Sequence, residues 1–148
     1  MADARIDEAT GRYLPIIYPE EVPFWEAAKA RKLILQQCSA CAKVRYPVGP
    51  ICPQCLSDQF SWATMSGRGV VHNYVVYHKP WNDFLKTRVP YAVVQVQLEE
   101  GPRLTTNLLG VPASEVRIGI EVCVAFEDIT DAITLVQFAP RQPGATDA

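Results

Sequence analysis

Residues 38–55 read CSACAKVRYPVGPICPQC, and this stretch holds four of the chain's five cysteines as two CxxC pairs with ten residues between them. A CxxC turn presents two sulfurs on one side of a tight loop, and Zn²⁺ takes four thiolates tetrahedrally at about 2.3 Å. A redox dithiol needs only one CxxC, at the start of a helix whose dipole lowers a thiol pKa. Here Pro47, Gly49, Pro50 and Pro53 oppose helices between or after the pairs. A disulfide framework belongs to an oxidising compartment. The spacing therefore points to a structural zinc ribbon with Cys38, Cys41, Cys52 and Cys55 as ligands. Iron is the other metal that four thiolates suit. No fifth ligand, HExxH motif or water-activating carboxylate stands beside the pairs. A closed site of this kind stabilises a fold and does no Lewis-acid chemistry.

A metal clip is not needed to hold the whole chain. With 148 residues, 49% of them hydrophobic and 20% charged, the chain can build a sizeable core. A formal net charge of −2 and a pI of about 5.7 give no global attraction to nucleic acid or to an anionic membrane. Four cysteinates on one Zn²⁺ add two negative charges that this count omits. Lys29, Arg31, Lys32, Lys43 and Arg45 stand close enough in sequence to offset them. No apolar run approaches the ~20 residues of a membrane span. The opening MADARIDEATGRYLP lacks the basic and apolar regions of a secretory signal, so the expected location is cytoplasmic.

Along the chain, hydrophobic periodicity predicts four regions. Residues 1–19 read as an extended N-terminal arm whose apolar LPIIYP docks on a surface. Residues 20–60 read as a helix plus the zinc ribbon. Pro23 suits a first helical turn, and Lys29, Arg31 and Lys32 suit the C-terminal end. LILQQ and VRYP are the ribbon strands. Residues 61–139 turn to strands. FSWATM and GRGVVHNYVVYHK form a β-rich stretch broken at Gly67 and Gly69. YAVVQVQLEE alternates, with Val94, Val96 and Leu98 on one face. RLTTNLLG, EVCVAFED and DAITLVQFAP follow, and VPASEVRIG holds room for one helical turn. Five strands also suit a small sandwich or an SH3-like barrel, and the short helical element between the third and fourth favours an OB-fold barrel. Residues 140–148 read as a flexible tail. The fold class is mostly β, a helix and zinc ribbon followed by a five-stranded OB barrel.

The residues offer little catalytic chemistry, and the expected catalytic set is none. His72 and His78 are the only histidines, six apart in one predicted strand and hence on one face. Neither has a visible triad partner. Cys123, in VCVAF, reads as a small sheet or core residue. HKPW ends its strand in a loop, where binding residues concentrate. Trp81 and Phe84 are candidate anchors there. Scattered basic residues, Lys79, Lys86, Arg88 and Arg103, could meet a phosphate of coenzyme A, although such residues usually serve solubility.

Several motifs in order carry a resemblance. They are Phe24-Trp25-Glu26, the four cysteines, Ser66-Gly67-Arg68-Gly69, His78-Lys79-Pro80-Trp81, Gly101-Pro102-Arg103 and Thr106-Asn107-Leu108. Over about residues 20–139 the chain resembles a family of bacterial and archaeal proteins that join a rubredoxin-like zinc ribbon to an OB fold, long catalogued as a domain of unknown function. The resemblance implies an accessory subunit of acyl-CoA enzymes, beside a thiolase-like or lipid-transfer-protein-like partner in a hetero-oligomer. Thiolases, retro-aldolases and acyltransferases are the partner activities it implies, with structural Zn²⁺ and a coenzyme A thioester at a shared interface. Phe24, Trp25, His78, Lys79, Trp81, Phe84, Arg88 and Arg103 are the partner-binding or coenzyme-A-facing candidates. The family usually follows each CxxC with glycine; here Ala42 and Leu56 stand in those places.

The alternative is a single-stranded nucleic-acid-binding protein, since OB folds stack bases on aromatics and Tyr74, Tyr77, Trp81 and Tyr91 could serve. The acidic pI and the lack of a basic stripe weigh against it.

Overall fold

A computed structural model describes residues 5–142. The chain begins with a small folded-back loop. Ile6 bridges Tyr13, and the Asp7 and Leu14 N–H groups donate to the carbonyls of Arg12 (2.9 Å) and Arg5 (2.8 Å). The predicted arm is therefore extended only beyond this turn, from about residue 15 to residue 18. The expected tail beyond residue 142 lies outside the described residues.

Helix α1 (Val22–Lys29) follows, with Pro23 in its first turn, where a missing N–H costs nothing. Phe24 and Ala28, four apart, are buried and face inward together. The helix stops at Ala30, whose N–H returns to Glu26 O at 3.1 Å, and Arg31 takes a left-handed φ of 60°. Its guanidinium then reaches Asp128 at the far end of the chain, with Nη1 3.0 Å from Oδ1.

Two sheets follow. The ribbon sheet has the order β2-β1-β3, from β1 (Ile34–Cys38), β2 (Val44–Arg45) and β3 (Phe60–Thr64), all antiparallel. FSWAT thus continues the ribbon, pairing residue for residue with β1 from Ile34↔Thr64 to Cys38↔Phe60. Sequence alone groups it with the later strands, because strand propensity does not encode the pairing partner.

The second sheet has the order β6-β5-β4-β7-β8, from β4 (Arg68–Tyr77), β5 (Tyr91–Leu98), β6 (Arg103–Thr106), β7 (Glu121–Asp128) and β8 (Thr134–Pro140). It curls until its edges meet. Leu109 N–H donates to Phe138 O (2.8 Å) and Thr106 Oγ1 to Val136 O (2.9 Å). A short 3₁₀ turn at Ala113–Glu115 lies between β6 and β7, where the OB pattern places its helical element. The expected fold class, a zinc ribbon joined to an OB barrel, holds.

Two glycines make the tight curl possible. A Cβ at Gly67, φ 75°, would collide with Val124 Cγ1, and one at Gly69 would sit 2.6 Å from Gln97 O. The SGRG stretch is where β4 crosses closely over both its neighbours. The interior follows the alternation read from sequence. Val71, Val94, Val96, Leu98, Leu104, Val116, Val122 and Phe138 are buried together. Each such side chain contributes about 1.5–3 kcal/mol of burial.

One expectation fails on a local irregularity. A β-bulge falls between Val71 and Asn73, so His72 is the extra residue, and β4 ends at Tyr77. The bulge shifts the face alternation, and His78 lies beyond the strand. The two histidines therefore do not share a strand face.

Candidate functional site

Strand β1 delivers Cys38, and the turn before β2 delivers Cys41. The loop between β2 and β3 carries Cys52 and Cys55. All four sulfurs lie within 4.8 Å of one another, with Cys38–Cys55 and Cys41–Cys52 each at 3.6 Å. A tetrahedral zinc with 2.3 Å bonds needs sulfurs about 3.8 Å apart. The donor set and its spacing fit that ion. Both knuckles close the same way, Ala42 N–H to Cys38 O and Leu56 N–H to Cys52 O, each 2.9 Å.

Ala42 and Leu56 take left-handed φ values of 61° and 62°. The knuckle geometry that glycine would adopt freely is kept here by residues with a Cβ, at a cost of about 1–2 kcal/mol each. No ligand position is lost by the substitution of glycine.

Backbone N–H groups prepare the sulfurs for a cation. Those of Cys55 and Gln54 lower the Cys52 thiol to about 6, and those of Cys41 and Ala40 lower Cys38. Cys55 is pushed the other way. The Ser57 N–H favours its thiolate, yet the sulfurs of Cys41, Cys38 and Cys52, together with burial, drive it up to about 12. Four thiolates this close repel one another, and a divalent metal resolves that repulsion.

A polar clip braces the ribbon beside the cysteines. Gln36 and Arg45 are both buried, and Gln36 Oε1 accepts from Arg45 Nε (2.8 Å) and from Gly49 N–H (3.0 Å). Arg45 Nη2 donates to Gly49 O (2.9 Å), and its guanidinium carbon lies 5.1 Å above the Phe60 ring. Arg45 is thus committed to the ribbon's interior, and Arg31 to Asp128, so neither is a free counter-charge for the metal site.

The remaining candidates divide into three groups. Phe24 is buried in the core, stacked edge-on with Trp25 at 5.5 Å and tilted against Tyr46 at 6.0 Å. It holds the helix to the ribbon and has no face for a partner. That corrects the expectation from sequence, where Phe24 and Trp25 look equivalent. Trp25 is only partly buried.

The second group is the loop from His78 to Pro90. Asn82 Oδ1 accepts from Leu85 N–H (3.0 Å), which fixes a 3₁₀ turn at Asp83–Leu85. His78 and Lys79 are exposed at the start of the loop, and Lys79 Nζ sits 5.0 Å over the Trp81 ring. Trp81 is 65% exposed, an unusual placement for the largest apolar side chain. Phe84 is held between the guanidinium carbons of Arg88 (4.2 Å) and Arg12 (5.2 Å). Arg12 comes from the N-terminal loop and pairs with Glu127 at 3.3 Å. Lys86 pairs with Asp83 at 2.6 Å.

Arg103 forms the third group, alone. It starts β6 at the opposite end of β5 from the loop and donates to Gln97 Oε1 at 2.7 Å. Eight residues of β5, about 3.3 Å each, separate it from the loop residues. No one ligand site gathers Arg103 with Arg88. Of the aromatics considered for base stacking, Tyr77 and Tyr91 stack on each other at 5.3 Å. Cys123 is partly buried on β7, paired with Ala139.

Fold and cysteine cluster together define a zinc ribbon joined to a curled OB sheet. Residues 25–61 match the family model for the ChsH2 rubredoxin-like zinc ribbon domain, and residues 62–127 match that for the ChsH2 C-terminal OB-fold domain. A DUF35 domain-containing scaffold protein of Methanocaldococcus jannaschii is 35% identical over 109 residues, 72% of this chain and 77% of that one. The chain belongs to this DUF35 family.

A probable enoyl-CoA hydratase alpha subunit of Thermomonospora curvata is 39% identical over 131 residues, 87% of this chain. The match spans only 40% of the hydratase subunit's length. Among solved structures, a chain of an Ltp2-ChsH2(DUF35) aldolase superposes with a TM-score of 0.77 at 37% identity, covering 86% of this chain and 98% of that one.

Sequence reasoning missed Arg12, Glu127 and Gln137, which the fold brings to one place beside Phe84 and Arg88. Nothing in the local sequence marks them, since they come from the N-terminal loop and from two strands near the chain's end.

Proposed function

We propose that this chain is a non-catalytic, zinc-containing accessory subunit of a thiolase-superfamily enzyme acting on acyl-CoA substrates, in the cytoplasm. The observation that carries this reading is the likeness to nearly the whole DUF35 chain of the Ltp2-ChsH2(DUF35) aldolase, at 37% identity. Relatives matched over most of this chain include the hydratase subunit and the scaffold proteins, which fits a part that serves different enzymes. Thiolase, retro-aldolase and acyltransferase partners all act beside a thioester carbonyl, and each is compatible with such a subunit.

In this reading Cys38, Cys41, Cys52 and Cys55 hold one structural Zn²⁺. The chain divides into the arm (1–19), the helix and ribbon (20–64, since β3 completes the ribbon sheet), the OB domain (65–140) and a tail beyond it. The exposed Ile16 and Tyr18 of the arm, the partly exposed Trp25 of the helix, and the exposed His78 and Trp81 of the loop form the docking surface. A coenzyme A thioester at that interface meets Lys79 and Trp81. The interface should exceed about 1,200 Å² in total, the lower range for stable complexes.

The test is co-purification from the native host followed by reconstitution. Near-stoichiometric recovery of a thiolase-superfamily protein, with activity that needs this chain, is the expected result. Full activity of that enzyme alone, or recovery of nucleic acid and its polymerases instead, would refute the proposal. Trp81→Ala should weaken assembly at least tenfold while leaving the zinc content at one per chain.

A further inference from the structure

Loop 82–90, the segment after β6 and the N-terminal loop line a cleft of about 480 Å³ that is open to solvent on one side. That volume lies within the ~300–1,000 Å³ typical of small-molecule sites. Its wall is apolar on one side, with the partly buried Leu108 and Val111. Its polar groups are few and specific: Arg12, Arg88, Glu127 and Gln137.

Two of these have unmet chemistry. Gln137 is only 3% exposed, and its Nε2 donates to Glu127 Oε2 at 2.7 Å. A carboxylate only accepts, so this bond fixes the amide with its oxygen turned away from Glu127. That oxygen, Oε1, is buried and has no donor among the described residues. A buried acceptor without a partner costs about 1–3 kcal/mol, so a group that donates to this oxygen is favoured there. Arg12 is neutralised by Glu127. Arg88 lies over Phe84 and forms no ion pair among the described residues, which leaves one uncompensated positive charge at the cavity.

From the orphan acceptor, the free guanidinium and the apolar wall, we propose that this cavity binds a small apolar carboxylate carrying a hydroxyl group. The hydroxyl donates to Gln137 Oε1, the carboxylate meets Arg88, and the hydrocarbon lies along Leu108 and Val111. A hydroxyl is favoured over an amide N–H. The amide brings a carbonyl that would go unpaired against this wall. The proposal concerns this chain alone and stands whether or not the accessory-subunit reading does.

The test titrates the full-length, zinc-loaded chain with 3-hydroxydecanoate and with decanoate, below their micelle-forming concentrations. Calorimetry and amide chemical shifts report the binding. Saturable binding of 3-hydroxydecanoate is expected, with shifts at Leu108 and Val111 and about tenfold weaker binding of decanoate. Gln137→Met should erase the difference between the two acids. Arg88→Ala, an exposed substitution that leaves the fold intact, should weaken both about five- to tenfold. No saturable binding of either acid, shifts confined to other parts of the chain, or discrimination that survives Gln137→Met would each overturn the proposal. If Gln137→Met does not fold, the Arg88→Ala result decides, and unchanged affinity there counts against it.

Discussion

The ribbon and the barrel are both small antiparallel sheets, yet they are held by different means. The barrel's interior holds a continuous apolar set from Val71 to Phe138, with the buried polar side chains of Thr134 and Gln137 on β8 beside it. The ribbon buries Leu33 and Leu35 but also encloses Gln36, Arg45, Cys38 and Cys52. In the small ribbon a polar clip and a metal cage take up a far larger share of the interior than Thr134 and Gln137 do in the barrel. Charged and amide groups are costly to bury, so the ribbon's order depends on the directed bonds around Gln36 and Arg45, where only Arg45 Nη1 is buried without a partner among the described residues. The barrel depends on shape and area, which tolerate small changes gradually. Helix α1 joins the two by placing Phe24 in the shared core, and Arg31 ties the end of the helix segment to Asp128 on β7.

This contrast can be broken at its strongest point first. Chelating the zinc, or Cys52→Ala, should drop bound metal from one per chain to none and unfold the ribbon cooperatively. Hydrogen exchange should then show β1 to β3 open while β4 to β8 stay protected. Loss of protection in both sheets together would show that the barrel has no independent stability. Phe138→Ala is the mirror experiment. It removes a fully buried ring and should cost the barrel about 3–5 kcal/mol by denaturant unfolding, with zinc still bound.

Leu56→Gly sharpens the comparison in the opposite direction. Leu56 is 77% exposed and held at a left-handed φ, so little burial is lost and strain is relieved. Set against glycine's greater unfolded-state freedom, the net gain should be about 0.5 kcal/mol, read as slower zinc release to a chelator. The smallest effect is expected at the tie between the two regions. Arg31 holds the Asp128 carboxyl below its usual range, helped by the Thr134 hydroxyl. A depressed folded-state pKa stabilises above the unfolded value and is lost as pH falls through the folded one. Asp128→Asn should therefore lower the barrel's melting temperature slightly at neutral pH, and the difference from wild type should vanish in acid. A difference that persisted in acid would mean that Asp128 acts through packing rather than charge.

The sequence by itself determined the metal cage and the alternation of the barrel strands. The CxxC spacing is local geometry, and the period-two pattern of Val94, Val96 and Leu98 repeats within one strand. Both can be read without knowing what lies across from them. Only the tertiary structure decided that FSWAT pairs with β1, that the bulge after Val71 separates the two histidines, and that Phe24 turns inward while Trp25 stays partly exposed. It alone assembled Arg12, Phe84, Arg88, Glu127 and Gln137 around one cavity. Those residues come from opposite ends of the chain, and long-range pairing leaves no periodic trace in the segments it joins.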